Sequence, residues 1–93
     1  MPSASDVQHD PDHTRYTLAT DDGDAVLVYE RRGDALAFVH TEVPRAAEGQ
    51  GVGTALVRGA LDHVRAQGGT MVPQCPFVAA FVDDRPEYAD LVA

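Results

Sequence analysis

The sequence predicts an α+β domain in which an antiparallel meander of strands leads into a strand–loop–helix–strand–helix run, so that the sheet is mixed. Three observations carry this reading. Apolar and polar residues alternate in three consecutive segments between residues 14 and 43. Between residues 50 and 67 the apolar spacing changes to three and four. Glycines at 49, 51 and 53 stand where the period changes.

Residues 14–20 alternate and stop at Asp21-Asp22-Gly23-Asp24, a turn signal. Residues 25–31 form a second strand, Arg32-Gly33-Asp34 a tight turn, and residues 35–43 a third, long strand. Two hairpins in series make the meander. Pro44 ends the third strand, since it has no N–H for a ladder. A helix is expected over residues 50–67, burying Val52, Leu56, Ala60 and Val64 with Val57 and Leu61 beside them. Arg58, Asp62 and Arg65 share its outer face, where Arg58 either pairs with Asp62 or meets a phosphate, and Gly68-Gly69 terminates the helix. Gly53 and Gly59 each cost the helix about 1 kcal/mol relative to alanine. They therefore predict close approach, of a ligand to Gly53 and of the sheet to Gly59. Residues 70–74 are a fourth strand, parallel to the third if the crossover is right-handed. Cys75-Pro76 opens a second helix over residues 77–83, and residues 86–91 are a closing turn or helix. No repeat, low-complexity tract or linker interrupts the chain, so residues 1–93 are expected to form one minimal domain.

The net charge is −8, and all seven cations are arginines; there is no lysine. Residues 1–42 set three arginines against nine acids, and residues 74–93 one against four. Residues 43–73, with three arginines against two acids, are the one segment that is not acidic, and they contain the glycines. A bound polyanion there fits this asymmetry, while the acidic remainder argues against nucleic-acid binding. The lone Cys75 excludes an internal disulfide and a cysteine-based zinc site, and suits a reducing compartment. The four histidines lack metal-site spacing, so no metal is expected. No apolar run approaches a membrane span, and the polar, acidic first ten residues do not read as a secretory signal. A cytoplasmic protein is the expectation.

A strand, a loop, three glycines and a helix start, in that order, build an anion site. Orphan N–H groups and the positive end of the helix dipole converge where no side chain intervenes. A phosphate or pyrophosphate is the natural guest. A P-loop is excluded because it needs Gly-Lys-Ser/Thr. The dinucleotide fingerprint is excluded by its different glycine spacing and by the meander that precedes the loop.

Together with the strand before it and the strand–helix after it, the loop resembles that of the acyl-CoA-dependent N-acetyltransferases of the GNAT superfamily. Their pattern after the central strand is Gln/Arg-x-x-Gly-x-Gly/Ala. Gly51 and Gly53 match it, whereas Glu48 stands where glutamine or arginine is expected. His40-Thr41-Glu42-Val43-Pro44, the EGQGVG loop, Val72-Pro73-Gln74-Cys75-Pro76-Phe77-Val78 and Pro86-Glu87-Tyr88 narrow the resemblance to the small, single-domain branch. It covers roughly residues 16–91. Phe81 stands where that branch often has tyrosine, so no phenol acid is expected there.

The resemblance implies acetyl-CoA or CoA as cofactor. Its pantetheine arm would pair along the third strand at Thr41 and Val43. Its pyrophosphate would sit on the main chain of Gly49, Gln50, Gly51, Val52, Gly53 and Thr54, with Arg45 as a charge-assisted contact. The thioester would point between the splayed third and fourth strands toward Cys75. The implied activity is acetyl transfer to a primary amine on a small molecule or a polypeptide. The alternatives are a CoA-binding or sensor module without turnover and a scaffold that binds partners only. Three residues are candidates for the chemistry. Strand alternation puts His40 and Glu42 on one face, as a proton relay or as a structural pair. Cys75, beside a helix start, would protonate the departing thiolate, accept the acetyl group, or simply pack as a small hydrophobe. His9, His13 and His63 fall outside the expected site. A compact chain leaves an open acceptor cleft, and its acidity would attract a cationic acceptor. The oligomeric state is left open, and nothing in the sequence requires more than a monomer.

Overall fold

The computed structural model describes residues 3–93 and has one strand more than the sequence predicts. Met1 and Pro2, the start of the polar N-terminal stretch, lie outside the described residues. The strands are β1 (Gln8–Asp10), β2 (Arg15–Thr20), β3 (Gly23–Arg32), β4 (Ala35–Glu42) and β5 (Thr70–Pro73), in that order across one sheet. The first four are antiparallel; β5 is parallel to β4. Helix α1 (Val52–Ala66) makes the crossover, α2 (Pro76–Asp84) follows β5, and a 3-10 turn, Pro86–Leu91, closes the chain.

The unforeseen strand is β1. Gln8, His9 and Asp10 carry no apolar alternation, yet they pair with Thr17, Tyr16 and Arg15 at the sheet edge. The hairpins form as expected. Thr20 pairs with Gly23 around Asp21-Asp22, and the Thr20 hydroxyl donates to the Gly23 carbonyl at 2.6 Å. Arg32 pairs with Ala35 around Gly33-Asp34, with Gly33 at φ 61°, where a two-residue hairpin loop favours glycine.

One face of the sheet is covered. Tyr16, Leu18, Leu27, Tyr29, Phe38 and Met71 project from it into a core shared with Leu56, Val57, Ala60, Leu61 and Val64 of α1. Val78, Phe81 and Val82 of α2, with Tyr88 and Leu91, complete that core. All six apolar positions expected on α1 are buried. Its C-terminus is capped by Gly68 at φ 68°, with the Gly69 N–H donating to the Val64 carbonyl.

Two expectations about α1 are corrected. Gly59 faces the N-terminal segment rather than the sheet: a Cβ there would lie 2.5 Å from the Ala4 carbonyl oxygen and 2.6 Å from Val7. Arg58 and Asp62 do not pair directly. Both reach the Tyr88 hydroxyl, which donates to Asp62 at 2.8 Å and accepts from Arg58 at 3.4 Å. Arg65 grips Asp90 with both terminal nitrogens, so the helix's outer polar residues tie down the closing turn.

Candidate functional site

The site grows out of an irregularity in β4. Tyr29 pairs with Phe38 but Val28 pairs with His40, so Val39 is an extra residue, a bulge. The bulge resets the alternation. Phe38 and Thr41, opposite Tyr29 and Leu27, both face the core side, while His40 and Glu42 face the other. Pairing with β5 stops at Phe38 and Pro73, and the last link is the Cys75 N–H donating to the Phe38 carbonyl at 2.8 Å. Beyond that point the strands part, and among the described residues no strand lies beside the β5-side edge of β4 from Val39 to Glu42.

Cys75 sits in this fork, buried, immediately before Pro76 at the start of α2. Its Sγ is 3.3 Å from the Thr41 hydroxyl. Burial pushes the thiol pKa up, but hydrogen bonds from the Thr41 side chain and from the N–H groups of Val78, Phe77 and Thr41 prevail and hold it below its ordinary value. Cys75, Thr41, Val39, Val43, His40, Glu48, Pro76 and Phe77 line a common depression. His40 and Glu42 share a face, as alternation predicts, and contact each other at 3.2 Å with 57% and 70% of their side chains exposed. Glu42 lines a neighbouring hollow with Asp24 and Pro44.

Past Pro44, a 3-10 turn (Arg45–Ala47) leads to the glycine loop. Gly49 and Gly51 have φ of 82° and 80°, a region that side chains disfavour. Gly51 precedes α1 and no side chain caps the helix, so its first-turn N–H groups lack the partner that a capping residue would supply. A Cβ at Gly49 or Gly51 would meet open space. These groups line a cavity of about 300 Å³ with Gly53, Thr54, Val43, Glu48 and Phe77. The open space and the uncapped turn suit a phosphate-bearing group; the Glu48 carboxylate at the rim does not add to it. Arg45 and Gln50 are exposed and line neither this cavity nor the one at Cys75.

Phe77 is the residue that sequence reasoning passed over. Phe77 is 43% exposed and forms a wall of both cavities. It also explains Gly53 differently from the expected ligand approach: a Cβ at 53 would lie 2.8 Å from the ring tip. An aromatic directly after a helix-opening proline was the available signal. Phe81 is buried against Tyr88, with the Arg85 guanidinium 4.2 Å above its ring. The Tyr88 phenol is raised above its ordinary pKa by burial and by its bond to Asp62. Among the described residues, no cluster of three or more His, Cys, Asp or Glu side chains could hold a metal ion, and no helix is long and apolar enough to cross a membrane.

Comparison with known proteins gives three findings. A family model described as GCN5-related N-acetyl-transferase matches residues 15–91. Protein NATD1 of Bos taurus is 32% identical over 83 residues, which is 86% of this chain and 74% of that protein. A solution NMR structure of a GCN5-like putative N-acetyltransferase from Staphylococcus aureus superposes with a TM-score of 0.72 at 20% identity, covering 94% of this chain and 86% of the other.

Proposed function

This chain belongs to the GCN5-related N-acetyltransferase family, and on that premise we propose that it binds acetyl-CoA and transfers the acetyl group to a primary amine. The observation that carries the proposal is a continuous path. The end of β4 at Thr41 and the following Val43 lead from the fork holding Cys75 to the uncapped start of α1, and the cavities at the two places share Val43, Glu48 and Phe77.

Acetyl-CoA, when bound, supplies a thioester-activated acetyl group. The main-chain N–H groups of Gly49, Gln50, Gly51, Val52, Gly53 and Thr54 hold its pyrophosphate, as a helix N-terminus holds anions. Thr41 and Val43 pair with its amide-bearing arm as a further strand would. Arg45, exposed before the loop and outside the cavity lining, adds positive charge nearby. With acetyl-CoA bound, the Cys75 thiol would donate its own proton to the departing CoA sulfur, or the Cys75 thiolate would take the acetyl group on Sγ with release of CoA thiolate and pass it to the amine; its lowered pKa favours the thiolate. The paired His40 and Glu42 pass the acceptor's proton to solvent. The acidic surface draws a cationic acceptor, such as the N-terminus or a lysine of a polypeptide.

The test is release of free CoA thiol in the presence of peptides with a free α-amine or lysine, for the wild type and Cys75→Ala. The chain has no lysine, so every acetyl-lysine formed belongs to the acceptor. Amine-dependent release is the expected result. A second reading, a CoA-binding module without turnover, draws support from Phe81 and Glu48, neither of which supplies the group common at its position. Tight cofactor binding with no release across the panel would establish it.

A further inference from the structure

A further cavity, of about 370 Å³, opens at the other end of β4, between β1, the sheet and the last turn of α1. It shares no lining residue with the cavities at Cys75 and the glycine loop. The His9 ring stacks on Tyr16 with centroids 4.6 Å apart and lies 4.8 Å from the His63 ring. Each imidazole spends one nitrogen on a tyrosine: His9 Nε2 is 2.7 Å from the Tyr29 hydroxyl, and His63 Nδ1 is 2.8 Å from that of Tyr16. His9 Nδ1 and His63 Nε2 have no side-chain partner among the described residues. Arg31 also lines the cavity. Its guanidinium lies over the Tyr29 ring and, among the described residues, enters no ion pair; Arg45, Arg58 and Arg85 share that state, while Arg15, Arg32 and Arg65 are paired.

Three groups able to carry positive charge thus converge in a chain of net charge −8. The carboxylates nearby offset them only in part. Asp10 is engaged by Arg15 and His13, and Asp34 lines the cavity without an ion pair among the described residues. We propose that this cavity binds the carboxylate or phosphate group of a small molecule, through the Arg31 guanidinium and the free ring nitrogens of His9 and His63. Leu36, Val64 and the Tyr16 ring supply an apolar wall for the rest of the guest. A bound anion links β1 to α1 and so fastens the edge strand.

The groups facing His9 are Asp10, Tyr16, Tyr29, Arg31, Asp34 and His63. Its pKa is lowered by burial first and then by His63 and Arg31, against Asp10. An anion relieves that repulsion, so binding takes up protons and is tighter at about pH 6 than at about pH 8. The experiment follows the four histidine side chains by NMR while acetate, phosphate or chloride is added at matched ionic strength. Saturable shifts of His9 and His63 with acetate or phosphate, but not chloride, are expected, with His13 and His40 unmoved; the tighter of the two identifies the group. Arg31→Gln weakens binding about tenfold with the amide spectrum otherwise intact, and Asp34→Asn tightens it. The proposal is overturned if both salts act only as chloride does, or if Arg31→Gln binds as the wild type.

Discussion

Replacing Gly59 with alanine tests the packing of the N-terminal segment on α1. On a free helix face the change would stabilise by about 1 kcal/mol, because glycine is the poorer helix former. Here the new Cβ meets the Ala4 carbonyl oxygen at 2.5 Å and the Cβ and Cγ2 of Val7 at 2.6 Å. A main-chain carbonyl and a Cβ cannot swing aside as a side-chain tip can, so the 3-10 turn Ala4–Asp6 and Val7 must shift together. Overpacking of this kind costs about 1–3 kcal/mol. The net expectation is a loss of about 1 kcal/mol, which lowers the melting temperature of a domain this size by about 4–8 °C. Thermal unfolding followed by circular dichroism gives the number, and amide shifts over residues 4–9 show whether the segment has moved. A variant more stable than the wild type by the full helix-propensity gain, with those shifts unchanged, would refute the packing.

Two further outcomes follow from the titrating groups. Thr41→Val removes a hydroxyl donor to Cys75, so the thiol pKa rises and alkylation of Cys75 sets in at higher pH; an unchanged profile in a folded variant contradicts the Thr41 contact. Stability should fall with acid in two stages. His9 is lowered from its usual 6.5, so the folded chain binds fewer protons than the unfolded one; stability is full above that value and declines as pH drops below it. Asp90, bonded to Arg65, and Asp10, where Arg15 and His13 outweigh the effect of burial, are lowered from 3.8; their contribution is present above 3.8 and is lost as pH falls through their folded values. A single transition confined to the carboxylate range would contradict the environment assigned to His9.

The strands and the long helix were legible because burial on one face writes a period into the sequence: two for residues 14–43, three to four for α1. Gly33 and Gly68 were legible for a different reason, since each occupies a positive-φ position that other residues avoid. The strand β1 left no such trace. Gln8-His9-Asp10 is a polar edge held by main-chain pairing to β2, with His9 packed by stacking rather than by alternation. The bulge at Val39 was equally hidden, because a ladder register is a relation between two strands. It moved Thr41 to the core face, where it meets Cys75, 34 positions away. Gly59 announced a close approach but not its partner, which lies in the N-terminal segment. The His9–His63 cluster, too, joins residues far apart in sequence, and the histidines read one at a time offered no reason to pair them.

Calorimetric titration of acetyl-CoA and CoA tests the proposed cofactor site most directly, with Gly51→Ala and Gly51→Trp beside the wild type. Both variants carry a side chain at a φ of 80°, and only tryptophan also fills the open space there. The prediction is binding at about micromolar concentration in the wild type, retained in large part by alanine and lost with tryptophan while the amide spectrum shows an intact fold. Absence of binding in the wild type at about millimolar cofactor, or equal binding in folded Gly51→Trp, would contradict a main-chain cradle at the start of α1.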